Sequence, residues 1–186
     1  MAKIGLSDFR YGVATEAANG TITYGSPKKP GKAVSFNFDP TKSDASLYAD
    51  DILAEHDSSV TGGTCTMGID REDPTTYAEL LGHTITSGEV VSNTNDIAPY
   101  VGLGRVATLL VDGSYKYRAT FFAKVQFSEP SEENNTRGES VEFGTYELEG
   151  VVAVPADGNW RKYKTFDTKE AAIAYLESCF GAESES

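Results

Sequence analysis

Two cysteines, two histidines, one tryptophan and no long apolar run are the scarcities of this 186-residue chain, and each excludes something. Cys65 and Cys179 are too few and too far apart for a disulfide framework. Both stand in apolar contexts, which fits buried free thiols in a reducing compartment. His56 and His83 have no second histidine or cysteine at ligand spacing, so no zinc site is expected. Asp44, Asp50, Asp51 and Glu55 lack the Asp-x-Asp-x-Asp-Gly order of a calcium loop. No stretch reaches the roughly 20 apolar residues of a membrane-spanning helix, and Met1–Gly5 lacks the apolar core of a secretion signal. The expectation is a protein made and kept in a cytoplasm.

Cations are scarce as well. Sixteen Lys and Arg against 28 Asp and Glu leave a net charge of −12, which speaks against a surface that grips phosphates. It does not speak against a wall past which nucleic acid moves without adhering. The Gly-x-Ser-x-Gly elbow, the phosphate-cradling Gly-x-x-x-x-Gly-Lys loop and a dinucleotide fingerprint after a strand are all missing. Glu147 and Glu149 are close enough on a strand to sit together, but any β protein holds such pairs and no reacting partner stands nearby. No catalytic, metal or cofactor site is expected, which moves the weight towards a structural or binding protein.

What the chain has is aromatics and alternation. Ten Tyr, nine Phe and 18 Gly point to an aromatic, β-rich core with many turns. The best-specified stretch is Tyr100–Phe127, two runs meeting at Asp112-Gly113, the favoured centre of a two-residue hairpin turn. From Tyr115 to Phe127 every second residue is apolar or small, as in a strand with one buried face. Turning there sets Leu110 against Tyr115, Thr108 against Tyr117, Val106 against Ala119 and Gly104 against Phe121. Gly102-x-Gly104 reads as room for a packed aromatic.

In chain order, Ile4–Val13 is a strand with a slip near Asp8, and Thr21–Gly25 a short strand and turn. Ala33–Phe38 is a strand stopped by Asp39-Pro40, and Thr64–Asp70 turns Cys65, Met67 and Ile69 inward. Asp73-Pro74 starts a helix with Tyr77, Leu80 and Leu81 as its apolar stripe, closed by Gly82. Thr84–Ser92 is a further strand candidate. Ser128–Ser140 is an acidic, mobile loop. Val141–Val154 is a long strand with Val141, Phe143, Tyr146, Leu148, Val152 and Val154 as its core set, bulged at Gly144. Asp157-Gly158 makes a second hairpin into Trp160–Phe166. Asp167–Phe180 is a helix, with Asp167 and Glu170 resembling a capping box, and residues 182–186 are a disordered tail. No repeat or linker divides 1–186, so the prediction is one mainly β (α+β) domain, an antiparallel sandwich or barrel with two short flanking helices.

Thr41–Gly63 fits this plan least well. A structureless connection of that length is uncommon unless it has a job. It reads either as a solvated loop with one turn of helix or as an arm reaching a neighbouring subunit, anchored by Leu47, Tyr48, Ile52 and Leu53.

The order of features resembles the major tail tube proteins of bacteriophages with long, flexible, non-contractile tails. The residues that carry it are Ile4–Tyr11, the acidic Leu47–Asp51, the Leu80-Leu81-Gly82 helix end, the aromatic strand Tyr115–Phe127 and the Phe166–Ala171 helix start. The resemblance implies a β-sandwich or barrel subunit, six copies closing a ring, and rings stacking into the tube that conducts DNA from the capsid. It implies that the 41–63 arm meets the adjacent ring. It also implies tape-measure and tail terminator or tip proteins as partners, a place in the virion tail, and assembly in the bacterial cytoplasm without a membrane. An immunoglobulin-like C-terminal domain, found in some members, is expected to be missing. A tube wall must repel DNA, and Glu142, Glu147 and Glu149, off the core face of a long strand, are the lumen candidates. The alternative from another class is a monomeric, carbohydrate-binding β-sandwich, for which Trp160 is the one strong stacking residue. An unrecognised hydrolase ranks below both.

Overall fold

Strands β7 (Tyr100–Val111) and β8 (Ser114–Phe127) form the hairpin that the alternation predicts, with Asp112 and Gly113 both at positive φ (49° and 78°). All four expected cross-strand pairs are present. A Cβ on Gly102 would stand 2.7 Å from the Tyr24 ring and 2.9 Å from that of Phe121, so the glycine makes room for aromatics. The single buried face does not hold. Tyr115 is 61% exposed, Ala119, Phe121 and Ala123 pack on one side of the sheet, and Val125 and Phe127 join Phe122 on the other. The cause is a bulge: Leu103 pairs with Phe122 but Val101 with Val125, leaving Ala123 and Lys124 opposite Gly102 alone.

The computed structural model describes residues 2–49, 52–131 and 145–181, with the backbone alone over 45–49 and 52–57. Around the hairpin lie β1 (Ala2–Glu16), β2 (Ile22–Tyr24), β3 (Ala33–Ala49), β4 (Ile52–Ile69), β9 (Tyr146–Ala153) and β10 (Arg161–Phe166). They make one antiparallel sheet in the order β2-β1-β7-β8-β9-β4-β3, with β10 also on β8. The fold is mainly β with two short helices, as the sequence predicts. The expected hairpin at Asp157-Gly158 is not formed. β9 and β10 run one after the other along the same edge of β8, on either side of the bulge.

The sheet curls until β1 and β3 face each other across the main core, where the Phe9 and Phe36 rings lie 6.0 Å apart. Phe9, Tyr11, Met67, Leu103, Phe122 and Phe127 are all 2% exposed or less. Each contributes about 1.5–3 kcal/mol by leaving water. Helix α1 (Pro74–Leu81) closes part of this core with Leu80 and Leu81; Asp73 caps it by accepting from the Thr76 N–H, and Gly82 ends it at φ 77°. Helix α2 (Lys169–Cys179) covers the opposite side of β7 and β8, setting Ala172 and Leu176, with Phe180 beyond its last turn, on Val106, Ala119 and Phe121. Its cap is Thr168, whose hydroxyl accepts from the Ala171 N–H, one residue later than the expected Asp167.

Other boundaries move for identifiable reasons. Thr84–Ser92 is a hairpin of β5 (Thr84–Thr86) and β6 (Glu89–Val91), turned at Ser87-Gly88 with both residues at positive φ. The slip near Asp8 is a bulge in β1, with Asp8 at φ 52°. Tyr146 is 47% exposed and outside the core set, whereas Leu148 and Val152 are buried as expected. Val141, Phe143 and the Gly144 bulge lie outside the described residues, as do most of Ser128–Ser140 and the tail 182–186.

The largest correction concerns 41–63. Asp39-Pro40 does not stop β3; Pro40 pairs with Gly63 within the ladder, on an edge strand, where a sheet tolerates proline. The expected loop is a continuous antiparallel ladder from Thr41–Gly62 out to Ala49–Ile52.

Candidate assembly surface

β4 pairs with β9 only from Gly62 to Ile69. Beyond that point β3 and β4 pair with each other alone among the described residues, forming a two-stranded arm. Nine residues of β3, Thr41–Ala49, span the arm, about 30 Å at the strand rise of ~3.3 Å per residue. Both edges of the arm carry rows of backbone N–H and C=O groups with no described strand beside them. A lone two-stranded ribbon is marginal in water, and an open edge is a template for another chain.

The four anchor residues fall at the arm's distal end. Tyr48 pairs with Leu53, Ala49 with Ile52, and Leu47 with Glu55. Their backbones are therefore brought together, six residues apart at most along the chain. From Ser43 to Asp70 the sequence holds no Lys or Arg, while Asp44, Asp50, Asp51, Glu55 and Asp57 are acidic.

Nearer the body, β3, β4 and β9 present an outer face on which no other described element packs. Glu149 is paired with Thr66, which is paired with Asn37; Glu147 is paired with Gly68, which is paired with Ser35. Glu147 and Glu149 are exposed and alternate with buried Leu148, as their position off the core face predicts. Asp39 and Val151 extend the same face through Thr64. None of these positions is a cation, so the face is uniformly acidic or neutral. Glu142 lies outside the described residues.

Trp160 and His83, also singled out by sequence, have packing or hydrogen-bonding partners, and the His56 side chain lies outside the described residues. Trp160 stacks on Phe38 with centroids 5.4 Å apart and has the Arg161 guanidinium 4.6 Å from its ring centroid. His83 stands between Asp96 (Nδ1 to Oδ2, 2.8 Å) and Glu129 (Nε2 to Oε2, 2.9 Å). The bond to Asp96 raises its pKa, burial opposes, and Glu129 adds to the rise. Cys65 is a free thiol that burial pushes up to about 12, and Cys179 is a free, half-buried thiol also raised by burial. Among the described residues no group of three His, Cys, Asp or Glu side chains is placed to hold a metal ion, and no helix is long and apolar enough to cross a membrane.

Sequence reasoning missed two features. The arm's ladder was hidden because the sequence of 41–63 shows no apolar and polar alternation. A cluster of cations on the concave face was hidden because its members come from four strands. No protein-family model matches the chain, and a search of curated proteins finds no detectable relative.

Proposed function

We propose that the chain is a structural subunit that self-associates into rings and stacked tubes, the tail tube of a long-tailed phage being the assembly its order of features resembles. The observation that carries this reading is the arm, a ribbon about 30 Å long with both edges open, which gains stability when another copy supplies strands or side chains to it. Leu47, Tyr48, Ile52 and Leu53, at its far end, are the contact residues with the next ring. The acidic face of β3, β4 and β9, including Glu147 and Glu149, is the surface turned to the channel, where carboxylates keep DNA phosphates from adhering. In the tail the tube would meet tape-measure and terminator or tip proteins, and it performs no catalysis.

Deleting Leu47–Leu53 tests the arm. The expected result is a folded subunit, with unchanged circular dichroism, that no longer forms rings or tubes by negative-stain microscopy. Tubes of normal length from the deleted chain would remove the arm from the account.

A further inference from the structure

The concave face of the sheet changes character past Phe36. There four adjacent strands each place one cation on it: Lys3 on β1, Arg105 on β7, Arg118 on β8 and Arg161 on β10. The register sets them on one face in diagonal positions around one cleft, with Lys3 opposite Leu109, Arg105 opposite Thr120, Arg118 opposite Ala107, and Arg161 opposite Phe122. Like charges gathered across strands repel, and this chain carries a net charge of −12, so a random surface would not concentrate three of its six arginines here. Among the described residues, Lys3, Arg105 and Arg161 form no ion pair, and no carboxylate lines the cleft.

The side chains are held in place. The Arg105 guanidinium lies 4.6 Å over the Phe36 ring, and its buried Nε has no hydrogen-bond partner among the described residues. Arg161 lies over Trp160 and within 5.6 Å of the Tyr163 centroid; Arg118 donates from Nε to the Thr165 hydroxyl at 3.3 Å. Burial, then Arg161 and Arg118, lower the Arg105 pKa to about 10, the response of a cation taken out of water beside like charges. The cleft they line is half-open with a volume of about 180 Å³. That is room for one tetrahedral or planar oxyanion with a few waters, each taking about 30 Å³.

We propose that this cleft is an oxyanion-binding site, taking a phosphate or carboxylate group, with Arg105 at its base and Arg161 and Lys3 at its rim. Guanidinium forks recognise such groups by paired, charge-assisted hydrogen bonds, and the partnerless Arg105 Nε is a donor that a ligand oxygen satisfies. Two sources supply that chemistry: free phosphate, and the carboxylates of a second copy of this chain.

The test is thermal melting and calorimetric titration of the full chain with sodium phosphate, against sodium chloride at equal ionic strength. Phosphate is expected to raise the Tm saturably and chloride not. Arg161→Gln and Lys3→Gln, at the exposed rim, are each expected to keep the parent's circular dichroism and to weaken phosphate binding about tenfold, the loss of one charge-assisted bond. Arg105→Gln is expected to abolish it. Phosphate acting no more strongly than chloride, or rim variants binding as tightly as the parent, would overturn the site. Sedimentation with and without phosphate names the source. Self-association lowered both by phosphate and by Arg161→Gln upholds the site with a second copy as its ligand. Unchanged self-association beside saturable phosphate binding upholds it with free phosphate. The titration does not depend on tube formation, so a monomeric protein would refute the assembly reading and leave this one standing.

Discussion

Asp8 Oδ2 stands 2.6 Å from Lys169 Nζ, so a single ion pair joins the bulge of β1 to the first turn of α2. Lys29 at 3.6 Å and Arg10 at 3.8 Å complete the cationic surround of this carboxylate. The arrangement depends on Asp8 occupying φ 52°, a region that Asp and Asn tolerate better than most residues.

Burial raises the Asp8 pKa, but the hydrogen bond and charge of Lys169, with Ser7 and Lys29, outweigh it and leave the group below 3.8. A folded-state pKa depressed in this way contributes stability above the unfolded value, lost as pH falls through the folded one. Asp8→Asn keeps the backbone conformation and removes the charge. The expected outcome is a lower Tm at pH 7 than the parent, with the difference shrinking below about pH 4, the unfolded Asp value. A difference that stays constant from pH 7 to pH 2 would mean the ion pairs do not act this way.

His83 has the opposite sign. Its folded pKa lies above 6.5, chiefly through Asp96, so its contribution is full below the unfolded value and lost as pH rises through the folded one. The side chain is 6% exposed and ties the residues after α1 to the loop at Asp96 and to Glu129. Melting curves should show the parent losing stability relative to His83→Gln as pH rises above about 6.5, the unfolded His value. Parallel curves for the two proteins would contradict the assignment.

Gly102 faces the Tyr24 and Phe121 rings with no space for a methyl group. Gly102→Ala should cost about 1–3 kcal/mol by overpacking, read as a lower urea midpoint at unchanged slope. Gly113→Ala meets no atom within 4 Å, but its φ of 78° disfavours a side chain; it should cost about 1 kcal/mol.

Cys65 is 2% exposed and its thiol is pushed up to about 12 by burial. At pH 8 a thiol reagent should therefore modify Cys179 first and reach Cys65 only in denaturant. Modification of Cys65 at the rate of Cys179 in the native protein would show that the core around Met67 and Leu148 opens readily.

The hairpin from Tyr100 to Phe127 was legible because its turn and its cross-strand pairs were local signals. The helix at Asp73–Gly82 was legible for the same reason, since cap and C-terminal glycine lie within ten residues. The bulge opposite Gly102 was not. It depends on β8 changing partners from β10 to β9, a long-range event that leaves Ala123 and Lys124 looking like ordinary alternation. Thr41–Gly63 failed from the other direction. A ribbon whose sequence does not alternate has no period to read, and Asp39-Pro40 resembles a stop wherever the strand happens to be an edge. Glu147 and Glu149 were placed correctly off the core because Leu148 and Val152 fix their parity. The cleft around Arg105 needed the strand order β1-β7-β8-β10, which no segment of sequence contains.

The central claim is that copies of this chain build a hollow polymer through the arm of β3 and β4. Negative-stain microscopy of the purified chain over a range of concentrations tests it most directly. Rings of uniform diameter, passing into tubes as concentration rises, are the predicted result. Isolated particles of one subunit's mass at every concentration, confirmed by sedimentation, would contradict it.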